Sequence, residues 1–144
     1  MIAASVVLLA SGCSKGSGPT QEQYASMADS VCTASDERMD ELRKSYDESV
    51  YEAALTGEES TYVARPERWL RARIIPAYES MSGQLRGLRP PDDDAQYLAD
   101  LYADLDLLIK DLNQRPSQGR ELISEDERLR DRFASYGMEV CGTV

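Results

Sequence analysis

The chain has 144 residues, a formal net charge of −10 from 26 acidic and 16 basic residues, 42% hydrophobic residues and no histidine. That charge argues against nucleic acid, whose binding rests on neutralising phosphates with Lys and Arg, and against broad adsorption to anionic lipid. The missing imidazole excludes Ser-His-Asp and Cys-His machinery, His-ligated zinc and the Glu-x-x-His sites of di-iron bundles.

Apolar residues run from Ile2 to Ala10, followed by Ser11-Gly12-Cys13 and the polar stretch Ser14-Lys15-Gly16-Ser17-Gly18-Pro19. A run this short cannot cross a bilayer, which takes roughly 20 residues, but it suits the apolar core of an export signal. The positions Ala10-Ser11-Gly12-Cys13 resemble the lipobox of bacterial lipoproteins, with Leu9 one place ahead of the usual leucine. The resemblance covers residues 1–13 alone. It implies a signal peptide over 1–12, cleavage before Cys13 and acylation of that sulfur with palmitate-type chains, enough for stable anchoring. Residues 13–20 then form a flexible tether and 21–144 the folded domain. The alternative is an ordinary cleaved signal with Cys13 incidental. No charged residue precedes Cys13, so the usual basic region is missing, which leaves open a start upstream of Met1.

Beyond the tether the chain reads as four amphipathic helices. Tyr24, Ala28, Val31, Ser35, Met39, Leu42, Tyr46, Val50 and Ala53 recur every three or four residues, which predicts a long first helix over about 21–55. Thr20 and Gln23 match a capping box, and Gly57 stops the helix. A second stripe runs through Leu70, Ile74, Ala77, Tyr78, Met81, Leu85 and Leu88, opened by Pro66 and closed by Pro90-Pro91. Pro76 lies inside it and predicts a kink or a split. The third helix, over 92–113, starts with Asp92, Asp93 and Asp94 and carries Leu98, Leu101, Leu105, Leu108 and Leu112, widened by Tyr97, Tyr102 and Ile109. Pro116 and Gly119 break it. Leu122, Leu129, Phe133, Tyr136 and Val140 mark a fourth helix ending at Gly142, with Ser124 and Glu127 as its capping box. Short connections between four such helices predict an all-α, antiparallel up-down bundle.

With Cys13 assigned to lipid, Cys32 and Cys141 remain, and exported proteins oxidise such pairs. In an up-down bundle the start of the first helix and the end of the fourth share one end, so a Cys32–Cys141 disulfide is expected. Residues 21–31 would then extend past the end of the fourth helix and cap the bundle; a stalk or partner surface is the alternative. An exported all-helical chain with a Cys in its first helix and the terminal run Tyr136-Gly137-Met138-Glu139-Val140-Cys141-Gly142 resembles the small uncharacterised lipoproteins of actinobacteria and their phages. That resemblance implies no activity.

Four groups of residues are candidate sites. Arg65, Arg68, Arg71 and Arg73, beside Tyr62 and Trp69, form a basic island suited to gripping a phosphate or carboxylate while Trp69 stacks; internal ion pairs and a core tryptophan are the plainer expectation. Asp100, Asp104 and Asp111, with Asp92 to Asp94, offer oxygens for a hard cation, but a solvated helix face explains them better. Paired carboxylates for glycoside hydrolysis are the least supported candidate. The tyrosines, eight against one phenylalanine, are expected to pack at helix edges. No catalytic residue, metal or cofactor is expected. The expected role is a non-enzymatic interaction or ligand-binding module, anchored through lipid at Cys13 on the extracytoplasmic face and bound to an envelope protein. Outward-facing partner surfaces are expected near Gly57–Arg65 and Arg115–Glu121. Alternatives are a binder of small apolar or anionic ligands, using a cavity opened by Pro76, and a phage-encoded surface lipoprotein that blocks reinfection.

Overall fold

The computed structural model describes residues 18–57 and 65–143, so the proposed signal, Cys13, most of the tether and Tyr62 lie outside the described residues. The described residues form helices and connecting turns, with no strand among them. Helix α1 spans Gln21–Thr56. The Thr20 side chain accepts from the Gln23 amide at 3.2 Å, and the Gln23 side chain accepts from the Thr20 amide at 3.0 Å. These reciprocal bonds satisfy two of the donors a helix start leaves open. At the other end Gly57 turns left-handed at φ 67° and donates to the Ala53 carbonyl, ending the helix.

The second stripe is continuous but irregular. Helix α2 (Pro66–Trp69) passes through a π-helical turn (Leu70–Ile74) into α3 (Ile75–Gly87). Pro76 has no N–H to offer the Ala72 carbonyl four residues back. The chain absorbs this by widening the preceding turn, where the Ile75 amide reaches the Leu70 carbonyl five residues back. Pro90 and Pro91 then end the element. A turn closed by Asp94 N–H on the Pro91 carbonyl leads into α4 (Ala95–Gln114), which therefore starts three residues later than the aspartate run predicted.

The predicted fourth helix is two. A 3-10 turn (Pro116–Gln118) precedes α5 (Gly119–Glu125), and α6 (Glu127–Tyr136) starts anew. Asp126, not Ser124, caps α6, accepting from the Leu129 amide at 3.1 Å. The Ser124 hydroxyl instead donates to the Glu121 carbonyl within α5. Nor does α6 reach Gly142. It stops at Gly137, left-handed at φ 97°, where the Gly137 and Met138 amides donate to Ala134 and Phe133 in a Schellman arrangement. The chain reverses there, buries Met138 completely and closes in a 3-10 turn (Cys141–Thr143). Gly142 lies so close to α6 that a Cβ would sit 3.1 Å from both the Ala134 Cβ and the Arg130 carbonyl.

Helix α1 packs on α3, α3 on α4, and α4 on α5 and α6. The core joins Met39 and Leu42 of α1, Ile74, Tyr78 and Leu85 of the second element, the α4 leucines, and Leu129 and Phe133 of α6. Leu85, Leu101 and Leu112 are fully buried. Each such side chain contributes about 1.5–3 kcal/mol relative to exposure. No helix among the described residues is long and apolar enough to cross a membrane.

Candidate functional site

Cys32 and Cys141 form a disulfide with 5.2 Å between their Cα atoms. The reversal at Gly137 brings Cys141 to α1, since α6 itself ends five residues earlier. The expected overhang of residues 21–31 is thereby corrected. These residues pack along the end of α6 and the returning chain: the Gln21 side chain donates to the Tyr136 carbonyl at 2.8 Å, and Asp29 accepts from the Val140 and Cys141 amides. Tyr24, Ala25 and Ala28 are buried there. The sparsely packed part of α1 is its other end. No residue of α1 after Leu42 is buried, and Tyr51 and Leu55 are 66% and 69% exposed.

Tyr24, Tyr97, Tyr102 and Tyr136 form a connected network at the helix contacts, whereas Tyr51 is exposed. Tyr24 and Tyr102 share a hydroxyl–hydroxyl bond, and Tyr136 donates to Asp94 at 2.6 Å while stacking on Tyr97. Arg132 lies over the Tyr97 ring and pairs with Asp104, and Arg86 lies over Tyr102 and pairs with Asp106. Burial is the main cause that raises the Tyr24, Tyr78, Tyr102 and Tyr136 hydroxyls above their ordinary titration range. Tyr46 leans on Trp69 at 4.8 Å between ring centroids, which leaves Trp69 half-buried and engaged within the protein.

The aspartates of α4 are separated by their partners. Asp100 accepts from Gln96, Asp104 pairs with Arg128 and Arg132, and Asp111 pairs with Arg115. Among the described residues, no group of three or more carboxylate or thiol side chains is placed to hold a metal ion.

The basic island does not act as one unit. Arg65, Arg68, Arg71 and Arg73 are all exposed, and none has an ion-pair partner among the described residues. The expected pairing with nearby acids is therefore not found within those residues. Arg73 parts from the others by lining a groove between α1 and α3 that also holds Ser35, Arg38, Leu42, Pro76 and Met81. Pro76, where the sequence suggested a cavity, borders this groove; its α1 wall of Ser35, Arg38 and Leu42 was not anticipated, and the signal for it was Ser35, a hydroxyl on the apolar stripe of α1.

Two other grooves carry carboxylates on their borders. Between α4 and the α5–α6 region, a space of about 300 Å³ is bordered by Asp104 and Asp111, which are ion-paired, and by Asp126, which caps α6. Between α3 and α4, a space of about 580 Å³ is bordered by Ser82, Arg86 and Asp106, which bond one another. No family model, no curated protein and no solved structure matches this chain.

Proposed function

We propose that this protein is an extracytoplasmic module held on a cell membrane through lipid on Cys13, and that it works by binding rather than by catalysis. The Cys32–Cys141 disulfide carries the reading, because such bonds persist in exported proteins and are rare where thiols are kept reduced. It agrees with the apolar leader and Ser11-Gly12-Cys13 ahead of the domain. The total lack of histidine supports binding over acid–base or nucleophilic chemistry. We read the helices as an antiparallel up-down four-helix bundle, with α2 and α3 as one bent element and α5 and α6 as another. The surface offered to an envelope partner is the end of α1 distal to the disulfide. Tyr51 and Leu55 stand exposed there, and α2 starts on the other side of the α1–α2 connection with Arg65 and Arg68.

Metabolic labelling with an alkyne palmitate, followed by membrane fractionation, tests the tether. The wild-type chain takes up label and sediments with membranes, whereas Cys13→Ser loses both properties. An unlabelled wild-type chain, or label that survives Cys13→Ser, overturns the reading. A photo-crosslinking residue at position 51 or 55, used in intact envelopes, then identifies the partner. Crosslinking no better than at the exposed control position Glu79 removes the distal end as the binding surface.

A further inference from the structure

The groove between α1 and α3 differs in its charge from the two grooves on α4. It measures about 440 Å³, carries Arg38 and Arg73 on its border, and among the described residues is lined by no Asp or Glu. In a chain of 26 acidic residues, a recess bordered by two guanidinium groups and no carboxylate is a local reversal of sign. Arg73 has no ion pair among the described residues. Arg38 holds only Glu41, one turn along the exposed face of α1, a surface pair that yields readily to a better acceptor.

Two further features belong to the walls of the same recess. Ser35 is one of its lining residues, and its buried hydroxyl has no hydrogen-bond partner, an arrangement that costs free energy. The opposite wall is built by Pro76 and the end of the π-helical turn, an irregularity that concentrates at functional sites. Leu42, Pro76 and Met81 give that recess an apolar side facing its polar one. A mixed surface of this size, with a few placed polar groups, has the form of a small-ligand site.

We propose that the α1–α3 groove binds a small anionic amphiphile. Its phosphate or carboxylate head lies between Arg38 and Arg73, and its short hydrocarbon body lies on Leu42, Pro76 and Met81. Guanidinium groups suit this head because their planar donors match two oxygens at once. The site needs neither the lipid on Cys13 nor the distal end of α1, so it stands or falls apart from the tether.

Octyl phosphate, titrated below its micelle concentration into the isotope-labelled full chain, tests the site through amide chemical shifts. Saturable shifts at Ser35, Arg73 and Ala77 are expected. Arg73→Ala should weaken binding about tenfold, the loss of one charge-assisted contact. Arg38→Ala should weaken it as well, and serves if the first variant misfolds. Arg65→Ala, outside the groove, should leave affinity unchanged. Inorganic phosphate and octanol, each carrying half of the ligand, should both bind more weakly. Shifts centred elsewhere, equal affinity in the arginine variants, or equal affinity for octanol would overturn the proposal. Competition by phosphatidylglycerol vesicles would assign the head to a membrane lipid, and lack of competition to a free amphiphile; both outcomes support the groove.

Discussion

The hydroxyls of Tyr24 and Tyr102 meet at 2.7 Å in the interior, joining α1 to α4 across 78 residues of sequence. Tyr24 also reaches the Leu85 carbonyl at 3.5 Å. With Tyr24 donating to that carbonyl, Tyr102 is the donor in the shared bond. One polar contact thus ties three helices whose other contacts are mostly apolar. Tyr102→Phe should destabilise the fold by about 1–2 kcal/mol, because the buried Tyr24 oxygen loses the hydrogen bond it accepts and keeps only the long one it donates to Leu85. The Tyr24→Phe/Tyr102→Phe double variant should cost less than the sum of the single ones, since it removes both partners together. Urea denaturation of the four proteins checks this; strict additivity would contradict it.

The same network sets the alkaline limit of the fold. The Tyr24, Tyr78, Tyr102 and Tyr136 hydroxyls titrate above their ordinary value of 10.0, with burial as the largest cause. Above that value the unfolded chain has released these protons while the native chain still holds them. The unfolded state then binds fewer protons, so stability falls as pH rises. Their contribution is fully present below about pH 10 and is lost as pH climbs through the native values. Tyrosinate absorbance from these residues should appear together with loss of helical circular dichroism. Ionisation of all eight tyrosines with the helices intact would contradict this.

Removing the disulfide should cost a large share of the total stability. Cys32 and Cys141 are 109 residues apart, and the chain-entropy model gives about 4–5 kcal/mol for a loop of that size. Reductant should therefore lower the urea midpoint strongly in the wild-type chain and not at all in Cys32→Ala/Cys141→Ala. An unchanged wild-type midpoint would mean that packing alone holds the terminal turn on α1.

Two glycines should respond in opposite senses. Gly137 is left-handed at φ 97°, so Gly137→Ala should destabilise by about 1–2 kcal/mol and loosen the return of Cys141. Gly83 sits within α3 with open space where a Cβ would go, so Gly83→Ala should stabilise by about 0.5–1 kcal/mol. Thermal melts of both variants, with free-thiol titration of Gly137→Ala, measure the two effects.

Much of the helical content was legible in the residue pattern. The α4 leucines every three or four residues, the Thr20–Gln23 box and the stop at Gly57 are local signals, and local hydrogen bonding obeys them. The errors fell where two local signals competed. Val140 lies at helical spacing from Tyr136, yet Gly137 adopts a left-handed turn, and burial of Met138 fixes the chain in that reversal. Ser124 and Glu127 have capping-box spacing, but Asp126 is the residue that accepts the α6 amide.

The sequence by itself determined the helical class, the acidic balance and the absence of imidazole chemistry. Those follow from composition and from periods of three to four residues. Only the tertiary structure decided that the arginine island divides, with Arg73 turned to a groove that also holds Arg38 and Ser35. Those three residues lie on two helices, and no local period relates them. Whether a guanidinium finds a carboxylate, or a buried hydroxyl a partner, depends on what the packing of α1 against α3 brings within a few ångströms.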